Sequence, residues 1–137
     1  MLVDTGPLVA AIDRTDPAHL ACARALLAHA GGCLTTWPVL TEAMYLLGKT
    51  GGLAAQEAIW SLLESGTVAL HVGEDAGLGT LRALMRQYHD LPMDLADASL
   101  VALAEARGVR DVLTLDSDFS VYRLKGRHAF RLHPPAG

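Results

Sequence analysis

Six carboxylates in this 137-residue chain stand in short motifs that could do chemistry. Asp4 follows Leu2-Val3 and precedes Thr5-Gly6-Pro7. Glu42 is the only charge in the apolar run from Trp37 to Leu47. Asp94 and Asp97 are three apart in Met93-Asp94-Leu95-Ala96-Asp97-Ala98, a spacing that puts them on one helix face. Asp116 and Asp118 close the run Leu113-Thr114-Leu115-Asp116-Ser117-Asp118-Phe119. Carboxylates gathered without His or Cys suit a hard cation, Mg²⁺ or Mn²⁺ as its substitute. Such an ion bridges to substrate phosphates and polarises a phosphoryl oxygen. It also reverses the local sign, so an acidic pocket can hold a polyanion. Each acid alone has a plainer explanation: a helix cap for Asp4, favourable charge at a helix start for Asp94 and Asp97, turn chemistry for Asp116 and Asp118. Glu42 fits such explanations least, because a carboxylate among Leu, Met and Tyr is costly unless partnered.

The acids act together only if the elements carrying them converge. Residues 2–3 read as a strand, 8–12 as a short helix, and 18–30 as an Ala/Leu-rich helix ended by Gly31-Gly32. A strand at 33–36 leads into a helix at 38–47 stopped by Gly48, and a further helix covers 53–64. A strand at 67–72, a helix at 73–88, a helix at 93–107 closed by Gly108, and strands at 111–115 and 130–132 complete the chain. Strands alternating with helical stretches predict an α/β fold, a parallel sheet with helices on both faces. Asp4 and Asp116 then lie at the carboxyl ends of their strands. The helix with Glu42 leaves the second strand at that same edge. The helix at 93–107 feeds the strand at 111–115, so its N-terminus with Asp94 and Asp97 returns there too. Four segments thus bring acids to the edge where open α/β sheets bind ligands.

The whole chain is consistent with this picture. Its length favours one domain spanning 1–137, and its 51% hydrophobic content excludes wholesale disorder. The net charge of -4 excludes a protein that coats nucleic acid by bulk attraction. Cys22 and Cys33 form no CxxC pair, which argues against a zinc site or a disulfide framework. No secretory leader or membrane-spanning run is legible, so a cytoplasmic protein is expected. The six histidines are scattered and none pairs with a Ser or Cys in a motif, so a hydrolase triad has no support.

The order and spacing of these motifs resemble a PIN domain, most closely the VapC-type toxins of bacterial toxin–antitoxin pairs. The motifs are Leu2-Val3-Asp4-Thr5-Gly6-Pro7-Leu8, Thr41-Glu42, Asp94-Leu95-Ala96-Asp97-Ala98 and Thr114-Leu115-Asp116-Ser117-Asp118-Phe119. The resemblance implies a three-layer α/β/α sandwich around a parallel sheet of four to five strands. It implies a metal-dependent endoribonuclease leaving a 5′-phosphate and a 3′-hydroxyl, and it carries the acidic ligands onto Asp4, Glu42, Asp97 and Asp116. Asp118 remains a candidate ligand beside Asp116. Thr5, Asp94 and Thr114 take supporting places around the hydration shell or the ligands. The family also implies a homodimer and a small antitoxin whose tail blocks the groove.

Residues 119–137 hold Arg123, Lys125, Arg127 and Arg131 and no acid, so all fifteen acids fall in the first 118 residues. Arg123, Lys125 and Arg127 are candidate RNA contacts, with Tyr122 interleaved as a stacking ring; a solvated edge segment explains them equally well. Arg14, Arg82 and Arg86 could add to such a surface. The apolar helix at 53–64, with Trp60, reads as core or as a partner surface. Two competitors to the ribonuclease reading are a non-catalytic PIN-fold binding module and a DNA-directed nuclease.

Overall fold

The computed structural model describes residues 1–73 and 77–135. Its elements in chain order are β1 (Leu2–Val3), α1 (Thr5–Ile12), α2 (His19–Ala28), β2 (Cys33–Thr36), α3 (Trp37–Glu64), β3 (Val68–His71), α4 (Leu78–Gln87) and α5 (Leu95–Arg107). There follow β4 (Asp111–Leu113), a 3₁₀ turn (Ser117–Ser120), β5 (Arg123–Leu124), β6 (His128–Ala129) and β7 (Arg131–His133). Five strands form one parallel sheet in the order β3-β2-β1-β4-β7, flanked by helices. β1 is central: Leu2 pairs with Leu34 on one side and Val112 on the other, and both its residues are fully buried. That explains a strand with no polar face, since a parallel sheet covered by helices buries both sides. α5 is buried from Ala96 to Ala104 apart from the half-buried Ser99, so a helix apolar nearly all round serves as core.

The edge that matters follows from this order. The chain leaves β1 toward β2 on one side and later returns to β4 on the other. Adjacent strands whose connections depart in opposite directions leave a crevice at their carboxyl ends. β1 and β4 are that pair here, zipped to their ends by Asp4 N–H on the Leu113 carbonyl at 3.0 Å.

Several local expectations shift. α1 begins at Thr5 rather than residue 8, because Asp4 caps it by accepting the Thr5 N–H. β4 stops at Leu113, two residues early, because Thr114 turns its hydroxyl onto Asp4 at 2.9 Å. The last strand runs 131–133, one residue later than the apolar run suggests. α4 starts at Leu78; the expected helix start overlaps residues 74–76, which lie outside the described residues. A hairpin, β5 with β6, forms where no strands were expected. Lys125 and Gly126 both take positive φ at its turn (49° and 70°), and a Lys there hides the usual Asn-Gly signature.

Gly48 does not stop its helix. The helical run continues to Gly52, whose φ of 62° and ψ of −154° break it into two segments. A Cβ on Gly48 would meet Gln56 Nε2 at 2.6 Å. The small residue thus makes room for Gln56, which donates to the Met44 carbonyl across the break at 3.1 Å. Ala58 and Leu62 of the second segment line a shared cavity with Ile12 of α1 and Leu26 of α2. Gly52 occupies a region that side chains avoid at a cost of about 1–3 kcal/mol. Gly52→Ala is therefore expected to lower the urea unfolding free energy by about that amount. An unchanged midpoint would show that the two segments can straighten without loss.

Candidate active site

A pocket of about 700 Å³ opens at the carboxyl edge between β1 and β4. Asp4, Asp16, Glu42, Asp94, Asp97, Asp116 and Asp118 line it, and no Lys, Arg or His does so among the described residues. Every acid anticipated from sequence is present; Asp16 is an addition. Asp16 belongs to the break after α1 and accepts the Ala18 N–H at 2.8 Å. Nothing in its Thr-Asp-Pro context separates it from an ordinary turn residue.

All of these carboxylates but Asp118 are held by local donors. Asp4 is buried, with Oδ1 accepting the Thr5 N–H at 2.8 Å and Oδ2 accepting the Thr114 hydroxyl at 2.9 Å. Thr114 Oγ1 in turn accepts the Asp116 N–H at 3.0 Å, tying the ends of β1 and β4 into one chain of hydrogen bonds. Thr5 donates its hydroxyl to Glu42 Oε2 at 3.1 Å, the partner that a half-buried Glu in an apolar helix needs. Asp94 is the N-cap of α5, accepting the Asp97 N–H at 2.8 Å. Asp116 caps the 3₁₀ turn by accepting the Asp118 N–H at 3.0 Å. Capping and pocket lining are one arrangement here, because the N-termini of α1, α5 and the turn all start at the same sheet edge.

Asp97 is the member most affected by its surroundings. Burial pushes its carboxyl up to about 7; the Tyr122 hydroxyl works against that, and the charges of Asp94, Asp4 and Asp116 add to it. Burial also raises Asp4, against the pull of Thr5 and Thr114 and with a further push from Asp116 and Asp94. Asp118 is raised too, by desolvation and then by the neighbouring Asp116 charge. These shifts come first from burial and then from mutual repulsion of the carboxylates, and a bound cation relieves the second. The donor set is all oxygen, as Mg²⁺ and Mn²⁺ prefer. Among the described residues no three His, Cys, Asp or Glu side chains form a ready-made closed ligand set, so the acids meet as the walls of an open pocket. Asp4, Glu42, Asp94, Asp97 and Asp116 are each turned to an N–H or O–H donor, while Asp118 lies against the Asp116 carboxylate.

Tyr122 is the residue the sequence reading most misplaced. It is fully buried rather than a stacking ring on a basic surface, and it donates to Asp97 Oδ2 at 2.7 Å. Burial raises the pKa of its hydroxyl, which therefore remains a donor. The basic residues around it have local duties. Arg123 Nη1 donates to the carbonyls of Ser120, Val121 and Tyr122. Arg131 pairs with Asp111 on the neighbouring strand, and His133 joins the same carboxylate. Lys125 and Arg127 are exposed on the hairpin. Arg123, Lys125 and Arg127 do not line the acidic pocket.

The PIN domain family model matches residues 1–124. The chain belongs to the PIN domain family. The matched stretch of this PIN domain contains every carboxylate of the pocket and ends within the hairpin. Among curated proteins, ribonuclease VapC26 of Mycobacterium tuberculosis is 30% identical over 135 residues, which is 98% of this chain and all of that protein. Among solved structures, the crystal structure of Mycobacterium tuberculosis VapC20, described as a sarcin-ricin loop cleaving toxin, superposes with a TM-score of 0.71 at 25% identity. That likeness covers 88% of this chain and 92% of VapC20. The expected parallel sheet of a PIN-like fold is therefore what the chain adopts.

Proposed function

We propose that this PIN domain is a divalent-metal-dependent endoribonuclease and the toxin of a toxin–antitoxin pair. The observation that carries the proposal is the pocket wall itself: seven carboxylates from five segments, with no lining Lys, Arg or His among the described residues to neutralise them. A structural cluster of that charge would destabilise the fold for no return, whereas a cation site uses it. The ribonuclease relative along the full chain names the substrate class. In this reading Asp4, Glu42, Asp97 and Asp116 hold Mg²⁺, or Mn²⁺ in its place, with Asp118 beside Asp116 and Asp94 behind Asp97.

The bound ion supplies Lewis-acid polarisation of a phosphoryl oxygen and a lowered pKa for a water. The chain's own residues prepare for it. Thr5 and Thr114 orient Asp4 while leaving it lone pairs, since each carboxylate oxygen can accept twice. Thr5 also sets Glu42, a pocket-lining residue, by donating to its Oε2. The partner side of the proposal, a homodimer and a small antitoxin, is supported by exposed apolar surface. Trp37, Tyr45 and Leu95 flank the acidic pocket, and Trp60 with Leu20 and Leu27 lies on α3 and α2. Patches of this kind mark interaction sites. No helix among the described residues is long and apolar enough to cross a membrane.

The test is cleavage of matched single-stranded RNA and DNA oligonucleotides with Mg²⁺, Mn²⁺ or EDTA. RNA is expected to be cut at internal bonds, with activity lost in EDTA and restored by Mn²⁺. Cleavage of DNA alone would move the assignment to a DNA-directed nuclease. Binding of RNA without cleavage, and no heat of Mn²⁺ binding by calorimetry, would favour a non-catalytic module.

A further inference from the structure

Tyr122 is completely buried, yet its hydroxyl reaches a wall of the acidic pocket. Its ring is fixed edge-on between Phe119 and Tyr88, each with centroids 5.0 Å away, and Phe119 meets Phe130 in the same manner. The Tyr88 hydroxyl accepts the Arg123 N–H at 3.0 Å, so the backbone just after Tyr122 is pinned by the same cluster. A ring held this tightly delivers its proton to one place, Asp97 Oδ2 at 2.7 Å.

Resting on the reading of this pocket as a cation-binding ribonuclease site, we propose that Tyr122 is a positioning residue that orients the Asp97 carboxylate for the cation. The hydroxyl occupies Oδ2 of a carboxylate that lines the pocket. Rotation about the terminal carboxylate torsion is otherwise broad, and Asp97 stands beside the like charges of Asp94, Asp4 and Asp116. Outer partners of this kind fix ligand geometry, and their removal typically costs about 10–100-fold in metal affinity. Tyr88 separates this role from simple packing. It belongs to the same aromatic cluster, but its hydroxyl serves a backbone N–H rather than a carboxylate.

The experiment is Mn²⁺ titration by calorimetry, with RNA cleavage measured against Mn²⁺ concentration, on wild type, Tyr122→Phe and Tyr88→Phe. Tyr122→Phe is expected to bind Mn²⁺ about 10–100-fold more weakly and to regain most of its cleavage rate at saturating Mn²⁺. Tyr88→Phe should bind as wild type. Equal affinity of Tyr122→Phe and wild type, or an equal loss in both variants, overturns the proposal while leaving the ribonuclease reading intact. A wild type that binds no Mn²⁺ overturns the functional reading and this proposal with it. Should Tyr122→Phe fail to fold, the wild-type protein still decides. The buried Tyr122 hydroxyl proton is expected to give a protected NMR resonance that shifts on adding Mg²⁺, and a resonance indifferent to Mg²⁺ overturns the proposal.

Discussion

Asp97→Asn is expected to make the protein more heat-stable without divalent cations and inactive with them. In the fold the Asp97 carboxyl titrates at about 7, against 3.8 for a free aspartate, chiefly because it is buried. Between about pH 4 and pH 7 the folded state therefore keeps a proton that the unfolded state has lost, and stability falls as pH rises through that window. Above pH 7 the cost is complete and constant. An amide at 97 avoids it, and its oxygen can still accept the Tyr122 hydroxyl. At pH 8 in EDTA the variant should melt at least about 3–5 °C above wild type, since each pKa unit is worth about 1.4 kcal/mol and roughly 1 kcal/mol already moves a domain this size that far. The gap should close toward pH 4. Excess Mg²⁺ should reverse the order, since ligand binding stabilises only the protein that binds it. Cleavage should fall on the order of 10³-fold, equivalent to about 4 kcal/mol of transition-state stabilisation. A melting temperature for Asp97→Asn below wild type at pH 8 in EDTA would show that Asp97 is a structural anion instead.

The contrast between Asp97 and Tyr122 shows what could be read from the chain and what could not. Asp4, Glu42, Asp97 and Asp116 were legible because strand and helix alternation forces a parallel sheet, and a parallel sheet places every strand end and following helix start on one edge. Strand and helix direction alone place these acids there, with no side-chain contact required. Tyr122 could not be found that way. Its partner lies 25 residues earlier in the chain, and in sequence its neighbours Arg123 and Lys125 suggest a surface. The available clue was that a buried acid needs a donor, which says that a partner exists without saying where. Asp16 was hidden for a similar reason, because its place in the wall depends on how α1 and α2 turn against each other. Gly48 and Gly52 are alike in sequence; only the close approach of Gln56 to the first and the left-handed backbone of the second assign them different work. The C-terminal bases illustrate the limit of charge counting. Arg123 and Arg131 are engaged with backbone carbonyls and Asp111, so the basic surplus of that segment is smaller at the surface than in composition.

Asp4 carries two duties, and a pair of substitutions is expected to separate them. Its side chain caps α1 and also faces the pocket. Asp4→Ala removes both functions. Loss of a cap costs about 0.5–2 kcal/mol, and the Thr114 hydroxyl loses its acceptor. Asp4→Asn keeps the cap, since Asn serves as well as Asp there and its Oδ1 can still take the Thr5 N–H. The amide nitrogen then faces Thr114 Oγ1, which already accepts the Asp116 N–H. A hydroxyl oxygen has two lone pairs, and the Thr114 proton has another acceptor in the Asp116 carbonyl at 3.5 Å. The network can therefore reverse its direction without a buried orphan. An amide is nevertheless a poor ligand for a hard cation. Asp4→Asn should unfold in urea within about 1 kcal/mol of wild type and Asp4→Ala about 1–2 kcal/mol earlier, while both lose cleavage on the order of 10³-fold. Single-turnover cleavage beside urea denaturation separates the outcomes. Wild-type rates in a folded Asp4→Asn would remove Asp4 from the site. Full activity in Asp4→Asn with none in Asp4→Ala would reduce Asp4 to a helix cap and leave Glu42, Asp97 and Asp116 to hold the ion.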